Sequence, residues 1–285
     1  MTPSGTDRST RFRTLVSDHA VAMPGAINAL SAKLIERMGF EAIYLSGAVL
    51  ANSVGGVPDI GLMTLTEAER HAQSIANACS LPIVMDADTG YGEADNVRRT
   101  VQVLEHAGVS AIHLEDQEFP KRCGHLEGKR LVPQAAFEEK VAAAAEARES
   151  ADFMIIARTD ARGVDGYDAA VERARAYLAA GADAIFPEAL ADADEFRRFA
   201  QDVPCPLLAN MTEFGRTPYY TVEEFAALGY RMVIFPVTLQ RAAMKAMEDV
   251  LAVLREQGTQ RDLLDRMQTR EALYDLLNYS ATVQK

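Results

Sequence analysis

The sequence predicts an α/β chain folded as a (β/α)8 barrel, and three observations lead there. Short apolar runs rich in Ile, Val, Leu and Phe recur along the chain, segments of helical periodicity separate most of them, and glycine returns at one place in several repeats. Alternation of this kind implies a parallel sheet whose crossovers are helices.

The runs occupy residues 21–24, 42–45, 82–85, 111–114, 153–157, 184–186, 206–209 and 232–235, which makes eight candidate strands. Between them, 94–107, 137–148, 167–180 and 222–228 carry apolar residues near the 3.6 spacing of an amphipathic helix. Gly39, Gly108, Gly181 and Gly229 each stand three residues before an apolar strand residue, namely Ala42, Ala111, Ala184 and Met232. Glycine suits the left-handed cap that ends a helix. A doubly wound open sheet is the alternative, but no Gly-rich dinucleotide fingerprint follows the first strand.

After the eighth strand, 239–255 fits the last barrel helix, while 261–268 and 270–277 read as a helical appendage. No linker or low-complexity tract divides the chain, so residues 1–285 read as one domain, with about 239–285 holding that helix and the appendage. Leu263, Leu264, Leu273, Leu276 and Leu277 extend past a completed barrel, where apolar residues call for cover by another subunit.

Composition excludes several function classes. With 29 Lys and Arg against 41 Asp and Glu, the net charge of -12 opposes binding to nucleic acid or anionic membrane. The three cysteines, Cys79, Cys123 and Cys205, lack metal-ligand spacing and suit a reducing compartment, so a cytoplasmic location is expected. The first residues are polar, without a signal-peptide core, and no apolar run reaches membrane length.

In a barrel the chemistry collects where strands end. Those positions hold Ser46 and Gly47 after strand two, Asp86 and Asp88 after three, Glu115 and Asp116 after four, Arg158 and Asp160 after five, Glu188 after six, and Asn210 and Thr212 after seven. Carboxylates so dense repel one another unless protons, arginines or a cation relieve them. A hard divalent ion such as Mg2+ suits Asp86 and Asp88, whose carboxylates would point to one side of an extended strand end, with Glu115 and Glu188 nearby. Two aspartates capping the next helix are the plain alternative. His19, His71, His106 and His113 lack zinc-site spacing and read as packing or surface residues.

The run 117–131 is polar, long for a barrel loop and contains Lys121-Arg122-Cys123-Gly124-His125. A thiol between cationic neighbours favours thiolate and proton exchange, so Cys123 is the first candidate for chemistry, with His125 beside it. Such a loop suggests a lid over a bound substrate.

With these residues in view, the chain resembles the isocitrate lyase / phosphoenolpyruvate mutase superfamily, most closely its short branch that cleaves 2-methylisocitrate. The matching segments include Tyr44-Leu45-Ser46-Gly47, Val57-Pro58-Asp59, Asp86-Ala87-Asp88-Thr89-Gly90-Tyr91-Gly92, His113-Leu114-Glu115-Asp116-Gln117, Lys121 to His125, Arg158-Thr159-Asp160, Phe186-Pro187-Glu188, Asn210-Met211-Thr212 and Met267-Gln268-Thr269-Arg270. The chain departs from the family at Ala48, where a second glycine is usual, although alanine keeps the backbone donor.

The resemblance implies a helix-swapped homotetramer and an Mg2+-dependent cleavage of 2-methylisocitrate to pyruvate and succinate, as in the methylcitrate cycle of propionate catabolism. It implies metal binding by Asp86 and Asp88, with Glu115 acting through water and Asp59 in support. Substrate binding would fall to Ser46, Gly47, Ala48, Gly124, Arg158, Glu188, Asn210, Met211, Thr212, Arg241 and Arg270, with the arginines, the Ser46-Gly47 backbone, Asn210 and Thr212 receiving its carboxylates. Cys123 would protonate the succinate carbanion, and Tyr44 or Glu188 would take the hydroxyl proton. An apolar recess for the substrate methyl is expected from Phe186, Pro187, Ile234, Phe235 and Pro236. Cleavage of dimethylmalate or of oxaloacetate is the alternative within the class, and a non-catalytic dicarboxylate-binding barrel is the alternative outside it.

Overall fold

The structure, a computed structural model, describes residues 5–124, 128–215 and 217–280. Its strands are β1 (Val21–Pro24), β2 (Ile43–Leu45), β3 (Ile83–Asp86), β4 (Ala111–Glu115), β5 (Met154–Thr159), β6 (Ala184–Pro187), β7 (Leu208–Asn210) and β8 (Met232–Phe235). Strands β2 to β6 form one parallel ladder, and β1 and β7 flank β8 in another. Parallel bridges from Gly25 to Tyr44 and from Ile185 to Leu207 join the two ladders at both seams, closing the barrel. The eight apolar runs thus become the eight strands. The runs that open with Pro82 and Pro206 lose those residues from the ladder, because proline has no N–H to give; only their carbonyls take part, accepting from Ile43 and Ile185.

The helices are α1 (Gly5–Asp18), α2 (Ala29–Arg37), α3 (Gly47–Leu50), α4 (Leu65–Ala76), α5 (Ala94–His106), α6 (Gln134–Ala147), α7 (Ala161–Val164), α8 (Tyr167–Ala179), α9 (Ala193–Asp202), α10 (Val222–Ala227), α11 (Thr238–Gln257) and α12 (Arg270–Leu276). Gly39, Gly108, Gly181 and Gly229 follow the caps of α2, α5, α8 and α10 with φ from 85° to 113°, as the repeated punctuation requires. The expected helix over 261–268 is a 3-10 turn at Arg261–Arg266.

Strand alternation sorts the core into two layers. Ala42, Tyr44, Val84, Ala111, Met154, Ile156, Ala184, Phe186, Leu208, Met232 and Ile234 fill the barrel interior. Their neighbours Ile43, Leu45, Ile83, Met85, Ile112, Ile155 and Ile185 pack outward against the helices. Phe12 and Val16 of α1, a helix the polar N-terminal sequence does not announce, join the interior cluster beside Val21 and Met23 and are 0% and 3% exposed. Arg8 of the same helix donates to the carbonyls of Ala76 and Cys79, both at 2.6 Å, fastening α1 across the ends of neighbouring crossovers.

Candidate active site

The same alternation decides which strand-end residues face the mouth. Continuing inward from Tyr44, Val84, Ala111, Ile156, Phe186, Leu208 and Ile234 by twos gives Ser46, Asp86, His113 and Glu115, Arg158, Glu188, Asn210 and Pro236. All but His113 line a cavity of about 880 Å3 at the C-terminal end of the barrel, together with Tyr44, Ala48, Asp59, Lys121, Cys123, Gly124, Phe186, Thr212, Ile234 and Arg241. The odd positions turn away. Asp116 is fully buried on the helix side, where it accepts from the Thr159 and Tyr177 hydroxyls and the Asp160 N–H. Met211, expected at the substrate, is 4% exposed and its sulfur accepts from the Tyr220 N–H outside the cavity. Pro187 and Phe235 are likewise absent from the cavity wall, so that of the five apolar residues expected there Phe186, Ile234 and Pro236 line it.

Asp86 and Asp88 do not share an extended segment, because β3 ends at Asp86 and Asp88 adopts a left-handed φ of 48°. They converge all the same. A Cβ placed on Gly47 would lie 2.9 Å from Asp86 Oδ2 and 3.1 Å from Asp88 Oδ1, so a side chain there would push both carboxylates aside. The Gly47 and Asp88 N–H groups donate to Asp86 at 3.2 and 3.0 Å. Burial drives the Asp86 carboxyl upward, but the charges around it, that of His113 when it is protonated and those of Lys121 and Arg158, outweigh it and hold the group below the ordinary aspartate value. Asp88 goes the other way, to about 6, through burial and the Asp86 charge.

Part of the charge relief expected from an ion is supplied by the chain itself. Lys121, 3% exposed, bridges Asp59 at 2.5 Å and Asp88 at 2.7 Å, so its ammonium serves the carboxylates, a correction to its reading as a neighbour activating Cys123. Arg158 bonds Asp160 through Nε at 3.0 Å and reaches both Glu115 and Glu188 at 3.4 Å. Glu188 also accepts from the Ala189 N–H and from Asn210 Nδ2.

The residues fit a hard divalent cation by donor chemistry. Asp86, Asp88 and Glu115 offer only oxygen, and the buried Glu115 Oε1 has no hydrogen-bond partner. Among the described residues no three His, Cys, Asp or Glu side chains cluster as the ligands of an enclosed ion, and Mg2+ ordinarily keeps several waters rather than an all-protein cage.

His113, read as packing, is fully buried behind the cavity wall, where it touches residues that line it. Its Nε2 lies 2.7 Å from the Tyr44 hydroxyl and 3.7 Å from Asp86 Oδ1, and Phe186 packs edge-on against its ring. Burial pushes its imidazole down to about 4 and the Tyr44 phenol well above its ordinary value, so both are neutral. His113 stands two residues before Glu115 on β4, and that spacing was the available signal.

The loop 117–131 begins as a ribbon: Gln117 bridges Leu131, and the Glu118 N–H donates to the Arg130 carbonyl at 2.8 Å. Gly124 lies over Arg158 and Glu188 so closely that a Cβ there would meet Arg158 Nη2 at 2.5 Å and Glu188 Cγ at 2.4 Å. Cys123 is exposed at the cavity, and His125 lies outside the described residues. Ser46 lines the cavity while its hydroxyl caps α3, accepting from the Val49 N–H. Arg241 stands at the rim, half-exposed, 3.6 Å from Glu213. Arg270, expected among the substrate arginines, is exposed at the start of α12 and takes no part in this cavity. Asp275 on the same helix is tied to Arg37 of α2, which keeps α12 on the flank of the barrel.

The phosphoenolpyruvate phosphomutase family model matches residues 12–255. Among relatives, the 2-methylisocitrate lyase of Aeropyrum pernix is 54% identical over 91% of this chain and 83% of its own length. That of Bacillus subtilis is 48% identical over 94% and 89%. Among solved structures, 2,3-dimethylmalate lyase superposes with a TM-score of 0.89 at 37% identity, covering 97% of this chain and 92% of the other. Oxaloacetate acetylhydrolase bound to 3,3-difluorooxalacetate gives 0.91 at 34%, covering 96% and 94%. Phosphonopyruvate hydrolase, solved with oxalate and Mg2+, gives 0.85 at 33%, covering 98% and 95%.

Proposed function

The chain belongs to the phosphoenolpyruvate phosphomutase family, and on that premise we propose that it is a lyase cleaving the carbon–carbon bond of 2-methylisocitrate to give pyruvate and succinate. The observation that carries this reading is one mouth holding a carboxylate cluster, a buried arginine and the thiol of Cys123. The similarity to 2-methylisocitrate lyases at 54% and 48% identity selects the substrate from among related acids.

Asp86 and Asp88 would hold a Mg2+ ion, with Glu115 facing it through water. Bound there, it would supply Lewis-acid polarisation of the substrate hydroxyl and the adjacent carboxylate. Arg158 and Arg241, with the N–H groups of Ala48 and Gly124 and the side chains of Asn210 and Thr212, would receive the carboxylates, the Gly47 N–H being given to Asp86. Loss of the hydroxyl proton turns the carbinol carbon into the pyruvate carbonyl, and the electron pair of the breaking bond passes to the succinate fragment. The Cys123 thiol gives its proton to the carbanionic carbon of the succinate fragment and becomes a thiolate, to be reprotonated before the next turnover. Tyr44, a neutral phenol paired with His113, would donate a hydrogen bond to the substrate oxygen where the His113 tautomer leaves its proton free, and Glu188 would take the hydroxyl proton. Phe186, Ile234 and Pro236 are the apolar surface for the methyl group.

The enzyme would work as one catalytic unit per chain in a homotetramer in the cytoplasm; no described helix is long and apolar enough to cross a membrane. α11 has no buried residue, and Met244, Met247, Leu251 and Leu254 repeat at three- and four-residue intervals along one exposed stripe, which a swapped helix from another subunit would cover. Pyruvate release from 2-methylisocitrate tests the metal role: chelation should abolish it and Mg2+ restore it, whereas full turnover in excess chelator would remove the ion from the mechanism.

A further inference from the structure

The mechanism leaves Lys129, Gln117 and Asp160 without a task, although all are buried and meet directly beneath Cys123's segment. Asp160 is fully buried. Its Oδ1 accepts from Lys129 Nζ at 2.8 Å and from Arg158 Nη2 at 3.3 Å, and its Oδ2 accepts from Arg158 Nε at 3.0 Å and Gln117 Nε2 at 3.3 Å. The other contacts of Lys129 and Gln117 go to the backbone of the loop. Lys129 Nζ donates to the Gly124 carbonyl. Gln117 closes a two-way pair with Arg122, donating to its carbonyl at 2.8 Å and accepting from its N–H at 2.9 Å. Asp160 in turn is held from below, its N–H donating to Asp116 at 2.9 Å, and Asp116 is fixed by the Thr159 and Tyr177 hydroxyls.

We propose that Lys129 and Gln117 are positioning residues which fasten the backbone on both sides of Cys123 to Asp160, the carboxylate that also orients Arg158. One buried group would then set the acid and a carboxylate-binding arginine relative to each other. Arg122 and Gly124 are the immediate neighbours of Cys123, so fixing them leaves the thiol little freedom beyond its own side-chain rotation. Arg158 divides its charge among Asp160, Glu115 and Glu188, so the Lys129 ammonium adds to the charge that makes burial of Asp160 tolerable; its second bond, to a loop carbonyl, carries that anchor to the segment of Cys123. The inference rests on Cys123 acting on the substrate.

Lys129→Met and Gln117→Ala test it, with steady-state kinetics on 2-methylisocitrate and tryptic cleavage after Arg122 as readouts. A displaced acid should lower kcat on the order of 100-fold, while KM moves by less than roughly threefold because Arg158 keeps its remaining carboxylate partners. Cleavage after Arg122 should quicken by about tenfold or more as the segment is released. Both variants keeping kcat within roughly threefold of the parent would overturn the proposal. So would a rise in KM with kcat unchanged, since that would make these residues substrate binders. Should Lys129→Met fail to fold, Gln117→Ala decides alone, as it removes no charge. A parent protein without turnover, or a Cys123→Ser variant with full turnover, would instead strike the functional reading, and unchanged cleavage after Arg122 would then refute the fastening itself.

Discussion

Glu115 and Arg158 are register partners on adjacent parallel strands, and the guanidinium that reaches Glu115 at 3.4 Å reaches Glu188 on the next strand at the same distance. Arg158 also lies over the Phe186 ring, 5.1 Å from its centroid. The arginine, which also bonds Asp160, is thus the shared partner of three buried acids. Replacing it with methionine takes that partner from all three, and removing one partner of a buried ionic group costs about 3 to 5 kcal/mol. Denaturant unfolding of Arg158→Met should show a loss in that range together with lost turnover, and Arg158→Lys a smaller one. An Arg158→Met protein as stable as the parent would mean that the carboxylates are neutral without it.

A second prediction concerns acid stability away from the site. Arg162 makes two hydrogen bonds to Glu195, at 2.8 and 2.9 Å, and the Ala191 N–H adds a third at 2.8 Å. The Arg162 bonds, opposed by partial burial and aided by Ala191, hold the Glu195 carboxyl below its ordinary value. A depressed carboxylate contributes stability above its unfolded pKa and loses it as pH falls through the folded one. The difference in melting temperature between the parent and Glu195→Gln should therefore be largest near about pH 7 and shrink toward about pH 3. A difference that grows on acidification would reverse the assigned sign.

The exposed stripe on α11 gives the third. Leu251, 64% exposed, sits in the middle of Met244, Met247 and Leu254. Light scattering at micromolar concentration should give a multiple of the 31.1 kDa chain mass, falling toward a single chain in Leu251→Asp. A parent protein of 31.1 kDa would leave the stripe without its proposed cover.

Much of this was legible in the sequence because strands and helices each announce themselves by period. β1 and β8 have the bounds the apolar runs give, and the four glycines mark the helix ends. The inward residues of the site were legible too, since alternation separates Glu115 from Asp116 and Asn210 from Met211 once the barrel is assumed. What the pattern hides is of other kinds. α1 carries its two core residues, Phe12 and Val16, in a polar stretch whose apolar face is too narrow to signal burial. Asp88 reaches the site through a left-handed turn that no strand pattern encodes, and Lys121 and Lys129 look like solvated loop charges until their carboxylates are found in space. Arg270 matched a family segment, but chain folding alone leaves it at the flank.

The most direct test of the functional reading is a comparison of catalytic efficiency on 2-methylisocitrate, isocitrate, 2,3-dimethylmalate and oxaloacetate at fixed Mg2+, with products identified. Burying the extra methyl against Phe186, Ile234 and Pro236 contributes roughly 1 kcal/mol, so 2-methylisocitrate should lead isocitrate by about tenfold. The two smaller acids, offering fewer carboxylates to the arginines, should follow. Equal amounts of pyruvate and succinate from the first substrate are the expected result; a clear preference for dimethylmalate or oxaloacetate would contradict the account.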